Sequence, residues 1–181
     1  MRLLISRIAL FVVLAGLMVA CTPTNPEEKA KKEVEEARKV ILEERDKLLD
    51  STGPLDTARS EMMIDRYITF VQNNPADTDA GEFLFQAASL CMAKGDYERC
   101  IKIHQNLLNN YPNNKRTVES TFHIAFTYDT YLDKKGMAED WYKKVIKEFP
   151  RDDLALQSRS AIKNLNMTDE ELIKMFEEKN K

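Results

Sequence analysis

Three X–Pro steps, Asn74-Pro75, Tyr111-Pro112 and Phe149-Pro150, stand 37 and 38 residues apart (112 − 75 and 150 − 112). Each closes a stretch of helical apolar period and is followed by a polar turn and a new stretch. Proline lacks an amide hydrogen and pushes the residue before it out of helical backbone, so a helix that runs into X–Pro stops there. A nearly fixed period of this size marks a repeat architecture, in which each unit buries its apolar face against its neighbours. Five glycines and six prolines in 181 residues leave little turn chemistry for an all-β chain, so the repeated elements are read as helices.

The formal net charge is −3, and without residues 1–20, whose charges are Arg2 and Arg7, it is (27 − 2) − 30 = −5. A mildly acidic chain with interspersed signs offers no basic stripe, so nucleic acid is not an expected partner. Residues 1–20 read as a signal peptide, because two arginines precede an uncharged apolar run at 8–20 that is short for a membrane span. Leu17-Met18-Val19-Ala20-Cys21 resembles the lipobox of bacterial lipoproteins, with Ala20 as the small residue and Met18 where that family has leucine. The resemblance implies that Cys21 is lipidated and that several acyl chains hold the mature protein in a bilayer. Thr22, rather than aspartate, after the cysteine implies the outer membrane by the sorting pattern of such lipoproteins. An ordinary signal peptide or an uncleaved anchor, with an incidental cysteine, is the alternative. Residues 21–26 form a short tether in which Pro23 and Pro26 favour extended backbone.

A long helix is expected over 27–50, capped by Asn25, with Pro26 at its first position and Glu27-Glu28 at its positive end. Ala30, Val34, Ala37, Ile41 and Leu48 form its apolar stripe, interrupted by Glu44. The stripe packs on the next helix or serves as a short coiled-coil seam. Helices are expected over 57–73, 80–94, 97–111 and 152–165, with turns at 51–56 and 76–79 and Asp79 as a cap. Thr168 and Glu171 form a capping box, and Leu172, Ile173, Met175 and Phe176 give the last helix an apolar face expected to dock.

The unit at 80–112 resembles a tetratricopeptide repeat, with Ala88, Gly95, Tyr97, Cys100 and Pro112 at the motif's places; Cys91 and His104 depart from it. The unit at 116–150 matches through Ile124-Ala125, Tyr128, Ala138, Tyr142 and Pro150, with its extra length in the turn at 131–136. The first helix, with Tyr67, Phe70 and Pro75, resembles a degenerate first unit. The resemblance implies an all-α fold of antiparallel hairpins stacked in a short right-handed superhelix, with a long N-terminal helix and C-terminal capping helices. The domain is then 27–181, with units at about 27–75, 76–112 and 113–150 and capping helices at 151–181.

No catalytic constellation is apparent. His104 and His123 lie on separate helices with no ligand cluster at metal spacing, and no nucleophile elbow or phosphate loop occurs. No cofactor is expected, and the reading is not that of an enzyme. Cys91 and Cys100 flank a tight hairpin turn, where they either approach disulfide distance or fill the helix contact as buried thiols.

In tetratricopeptide arrays the first helix of each pair lines the concave groove. That resemblance places Glu82, Phe85, Gln86, Ser89 and Met92 from one unit, and Glu119, Phe122, His123, Phe126 and Asp129 from the next, in a candidate groove. Aromatics with acidic edges would suit a peptide with basic residues. Alternatively, Phe85, Phe122 and Phe126 pack against the flanking helices as core. With the lipobox, the units resemble two families: the helical lipoprotein subunit of the outer-membrane β-barrel assembly machinery, and the repeat proteins of the Tol–Pal region. The expectation is a membrane-tethered scaffold that binds another envelope protein or a peptide segment of one. The alternative is a lipoprotein that oligomerises through Val34, Ile41 and Leu48. A small-ligand binder or enzyme, for which only His123 near two phenylalanines speaks, is a third reading.

Overall fold

The computed structural model describes residues 25–50, 53 and 55–179. The signal peptide, Cys21 and the tether before Asn25 lie outside the described residues, as do Ser51, Thr52 and Pro54 of the expected turn. The described residues form eight α-helices and no strand: α1 Pro26–Leu49, α2 Thr57–Asn73, α3 Ala80–Lys94, α4 Tyr97–Asn110, α5 Thr117–Thr130, α6 Lys135–Glu148, α7 Asp153–Leu165 and α8 Asp169–Lys179. None is long and apolar enough to cross a membrane.

The described residues fall into two units that divide between Glu35 and Glu36. In the first, the Asn25 side chain caps α1 by accepting from Glu27 N at 3.2 Å. The pairs Lys32–Glu28 and Lys29–Glu33 then line the exposed helix one turn apart.

The second unit is ordered by its connections. Asn74, Tyr111 and Phe149, each before a proline, share one backbone conformation, with φ/ψ of −133/59, −132/55 and −128/54. Each closes its helix by donating its backbone N–H to the carbonyl four residues back. The turns that follow also match bond for bond. Asp77, Asn114 and Asp152 donate to the carbonyls of Asn74, Tyr111 and Phe149, all at 3.0 Å. Their side chains accept from the backbone N–H of Asp79, Arg116 and Leu154, all at 2.9 Å. An acidic or amide side chain two residues after each proline therefore turns the chain into the next helix. This corrects the expectation that Asp79 caps α3: its side chain makes no cap bond and pairs with Arg38 Nε at 3.2 Å. The hairpin between α3 and α4 turns on Gly95, whose φ of +81° is left-handed backbone; Gly95 N and Asp96 N return to the carbonyls of Met92 and Cys91.

Chain neighbours pack together from α2 through α7, and α5 also meets α7. The contacts run through small residues: Ala80, Ala87, Ala88, Ala125, Ala138 and Ala155 are wholly buried. Alanine at a crossing lets two backbones approach while larger neighbours fill the flanks. Tyr67 and Phe70 of α2 pack on Phe83 of α3, with ring centroids 5.3 and 5.0 Å apart. Ile101, Ile124, Tyr128 and Tyr142 join α4, α5 and α6 around Ala125 and Ala138. Burying each such large side chain contributes about 1.5–3 kcal/mol.

Two expectations concern the flanking helices. Ile41 and Leu48 of α1 are buried within the second unit. Both belong to the core of that unit, whereas Val34 of the same apolar stripe is half-buried. At the other end the capping box forms as expected, with Thr168 N donating to Glu171 Oε2 and Glu171 N to Thr168 Oγ1. Of the α8 face expected to dock, Ile173 stands exposed and Met175 half-buried, while the side chains of Leu172 and Phe176 lie outside the described ones.

Candidate functional site

All ten residues placed in the candidate groove are half-buried, on one side of α3 and α5. They fall into two regions. In the first, Glu82 lies between cations: Arg116 donates to it through Nε at 2.9 Å and Nη2 at 3.2 Å, and Lys115 Nζ stands 3.3 Å away. Gln86 also donates to Glu82, at 2.9 Å, and Arg116 Nη1 reaches Glu119 at 2.7 Å. Burial works against the Glu82 carboxylate, but the hydrogen bonds from Arg116, Gln86 and Lys115 outweigh it and hold its pKa down at about 2. Glu82 and Glu119 are thus matched inside the chain, and they do not form the open acidic edge expected for a basic peptide.

Phe85 lies beside this cluster, with the Arg116 guanidinium 4.6 Å from its ring centre. Its ring also meets His104 at 5.7 Å and His123 at 5.6 Å, so Phe85 belongs to an internal aromatic cluster. His104 is wholly buried, and burial, followed by the neighbouring His123, pushes its pKa down to about 3. His123 is shifted the same way, chiefly by burial. Ser89 donates its hydroxyl to the Phe85 carbonyl at 2.9 Å, and Met92 lies at the far end of α3.

The second region is a cleft of about 640 Å³. Phe122, Phe126 and Tyr142 form its aromatic floor, and Leu156, Ala161 and Leu165 of α7 its apolar far wall. Phe122 and Phe126 lie one turn apart with rings nearly parallel, at 14°, and Phe122 rests on Tyr142 at 5.6 Å. Tyr142 donates its hydroxyl to Asp129 at 3.2 Å, which engages the one carboxylate of the lining. Gln157, Ser160 and Asn164 supply an uncharged polar rim, with Lys135 beside them. Leu156 is 65% exposed and presents an apolar side chain at the mouth.

Of the ten expected groove residues, Phe122, Phe126 and Asp129 line this cleft, and the other seven do not. The α7 wall was not anticipated. Its sequence signal is Leu156, which falls outside the inward 4–3–4 pattern of Leu154, Ser158, Ala161 and Leu165. Arg116 was also missed, because its partner Glu82 lies 34 residues away and comes near it only when α3 and α5 are side by side.

Cys91 and Cys100 are free thiols, both fully buried. Burial pushes the Cys91 pKa up to about 11 and that of Cys100 to about 12. Among the described residues no group of three or more His, Cys, Asp and Glu side chains is placed to hold a metal ion. A second cleft, of about 480 Å³, lies between α1 and α2 over Ala37, Val40, Ile41 and Phe70. No family model matches the chain, and no curated protein matches it.

Proposed function

We propose that the protein is an envelope lipoprotein, anchored through Cys21 in the outer membrane, whose helical domain binds an apolar segment of another envelope protein. The cleft between α5 and α7 carries this reading: an aromatic floor, an exposed leucine at the mouth, and a rim of amides and hydroxyls. Such a surface takes an apolar side chain in its centre and satisfies main-chain groups at its edge. With Glu82, Glu119 and Asp129 engaged inside the chain, the partner is recognised by apolar contacts rather than by basic residues.

We also read α3–α4 and α5–α6 as tetratricopeptide-type hairpins. Support comes from the matching turns, the buried alanines at the motif's small positions, and the meeting of α5 with α7 across an intervening helix. On that reading α3, α5 and α7 are the first helices of successive pairs and form the inner face. The placement among repeat lipoproteins of barrel assembly or of the Tol–Pal region rests on this pattern together with the lipobox. The test is a photo-crosslinking residue at position 160 of the membrane-anchored chain. It should give one discrete adduct, lost when Leu156→Glu is added; an adduct that survives the substitution contradicts the assignment.

A further inference from the structure

Away from the cleft, the aromatic cluster around Phe85 contains a feature that packing does not explain. His104 is wholly buried, and neither ring nitrogen has a hydrogen-bond partner; His123 Nδ1 is also buried without one. Buried polar atoms in native proteins nearly always have partners, and leaving one unpaired costs about 1–3 kcal/mol. Leucine or phenylalanine would fill the His104 position without that cost. The two imidazoles come from facing helices, α4 and α5, and their ring centroids are 5.4 Å apart at 69°. One metal ion spans such a gap: two metal–nitrogen bonds of about 2 Å, with each nitrogen about 1 Å from its ring centre, reach about 6 Å in a straight line and less when bent.

We propose that His104 and His123 together bind one soft monovalent metal ion of the copper(I) class. The donor set selects the charge. Both ligands are neutral imidazoles, and the wall between them is the Phe85 ring rather than a carboxylate. A divalent ion favours four ligands or retained water and pays a far larger desolvation cost in such surroundings. A two-coordinate ion of single charge needs only the two nitrogens, and imidazole suits copper. Both histidines remain unprotonated at neutral pH, as ligands must be, so binding displaces no proton. The Arg116 charge over Phe85 is already matched by Glu82 and Glu119.

The test uses the full chain in detergent micelles, with Cys21→Ala, Cys91→Ala and Cys100→Ala removing the thiols as competing ligands. Copper(I), kept reduced by ascorbate, is supplied as its coloured bicinchoninate complex. The chain should withdraw one equivalent, and His123→Asn or His104→Leu should weaken uptake at least tenfold while leaving helical circular dichroism unchanged. Imidazole nitrogen resonances of the cysteine-free chain give a readout that needs no histidine substitution: copper(I) should shift both His104 and His123. A cysteine-free chain that leaves the chelator complex intact, uptake unchanged in the His123→Asn or the His104→Leu variant, or unmoved imidazole resonances would each overturn the proposal.

Discussion

Arg116 opens α5 by gripping Glu82 of α3 through two guanidinium nitrogens, at 2.9 and 3.2 Å. The pair ties two helices separated in sequence by α4, and Arg116 holds Glu119 at the same time. Because the folded Glu82 pKa lies below its unfolded value, the stabilisation is fully present above about pH 4.5 and is lost as pH falls toward 2. Arg116→Ala should destabilise the domain by about 1 kcal/mol at neutral pH. It should also make the acid limb of a stability–pH curve shallower. Urea unfolding between pH 3 and 7 checks both, and an unchanged acid limb would assign the acid sensitivity elsewhere.

The turn between α4 and α5 presses on α3. A β-carbon added at Gly81 runs into the Asn114 side chain, whose Oδ1 holds the turn before α5 by accepting from Arg116 N at 2.9 Å. Gly81→Ala therefore displaces that turn bond as well as crowding a helix contact, and should cost about 1–3 kcal/mol. Alanine at an open helical position would instead stabilise slightly. The sign of the shift in thermal midpoint decides between the two.

The thiols of Cys91 and Cys100 are buried and free, and both are held in the neutral form well above neutral pH. Iodoacetamide at pH 8 should leave both unmodified in the native protein and alkylate both in urea, because the thiolate is the reacting species. Mass spectrometry after the urea step reads the result. A native mass two units lower, with no alkylation in urea, would show that the pair is bridged.

How much of this was legible in the sequence follows from the range of each interaction. Helices 57–73 and 80–94 fall where the apolar period places them, the first stopped by Asn74-Pro75 and the second by Gly95, because these signals act within one or two turns. The 37–38 residue period is likewise legible, and the structure adds that Asp77, Asn114 and Asp152 carry it, two residues beyond each proline. The first helix was harder to read. Val34, Ile41 and Leu48 share a stripe, and spacing alone does not say what it faces; the structure shows Ile41 and Leu48 buried and Val34 half-buried. The groove was legible only on α5. Its far wall belongs to α7, and the neutralisation of Glu82 depends on a residue 34 positions away, so both arise from helix stacking.

Leu156 offers the most direct measurement on the central claim, because it stands exposed at the cleft mouth and takes little part in the core. A charge at such a surface position should change stability by no more than about 0.5 kcal/mol. Leu156→Glu should therefore melt with the wild type, yet lose at least tenfold in the yield of the envelope adduct formed from position 160. Wild-type adduct yield from a folded Leu156→Glu chain would contradict the claim that the cleft between α5 and α7 is the binding surface.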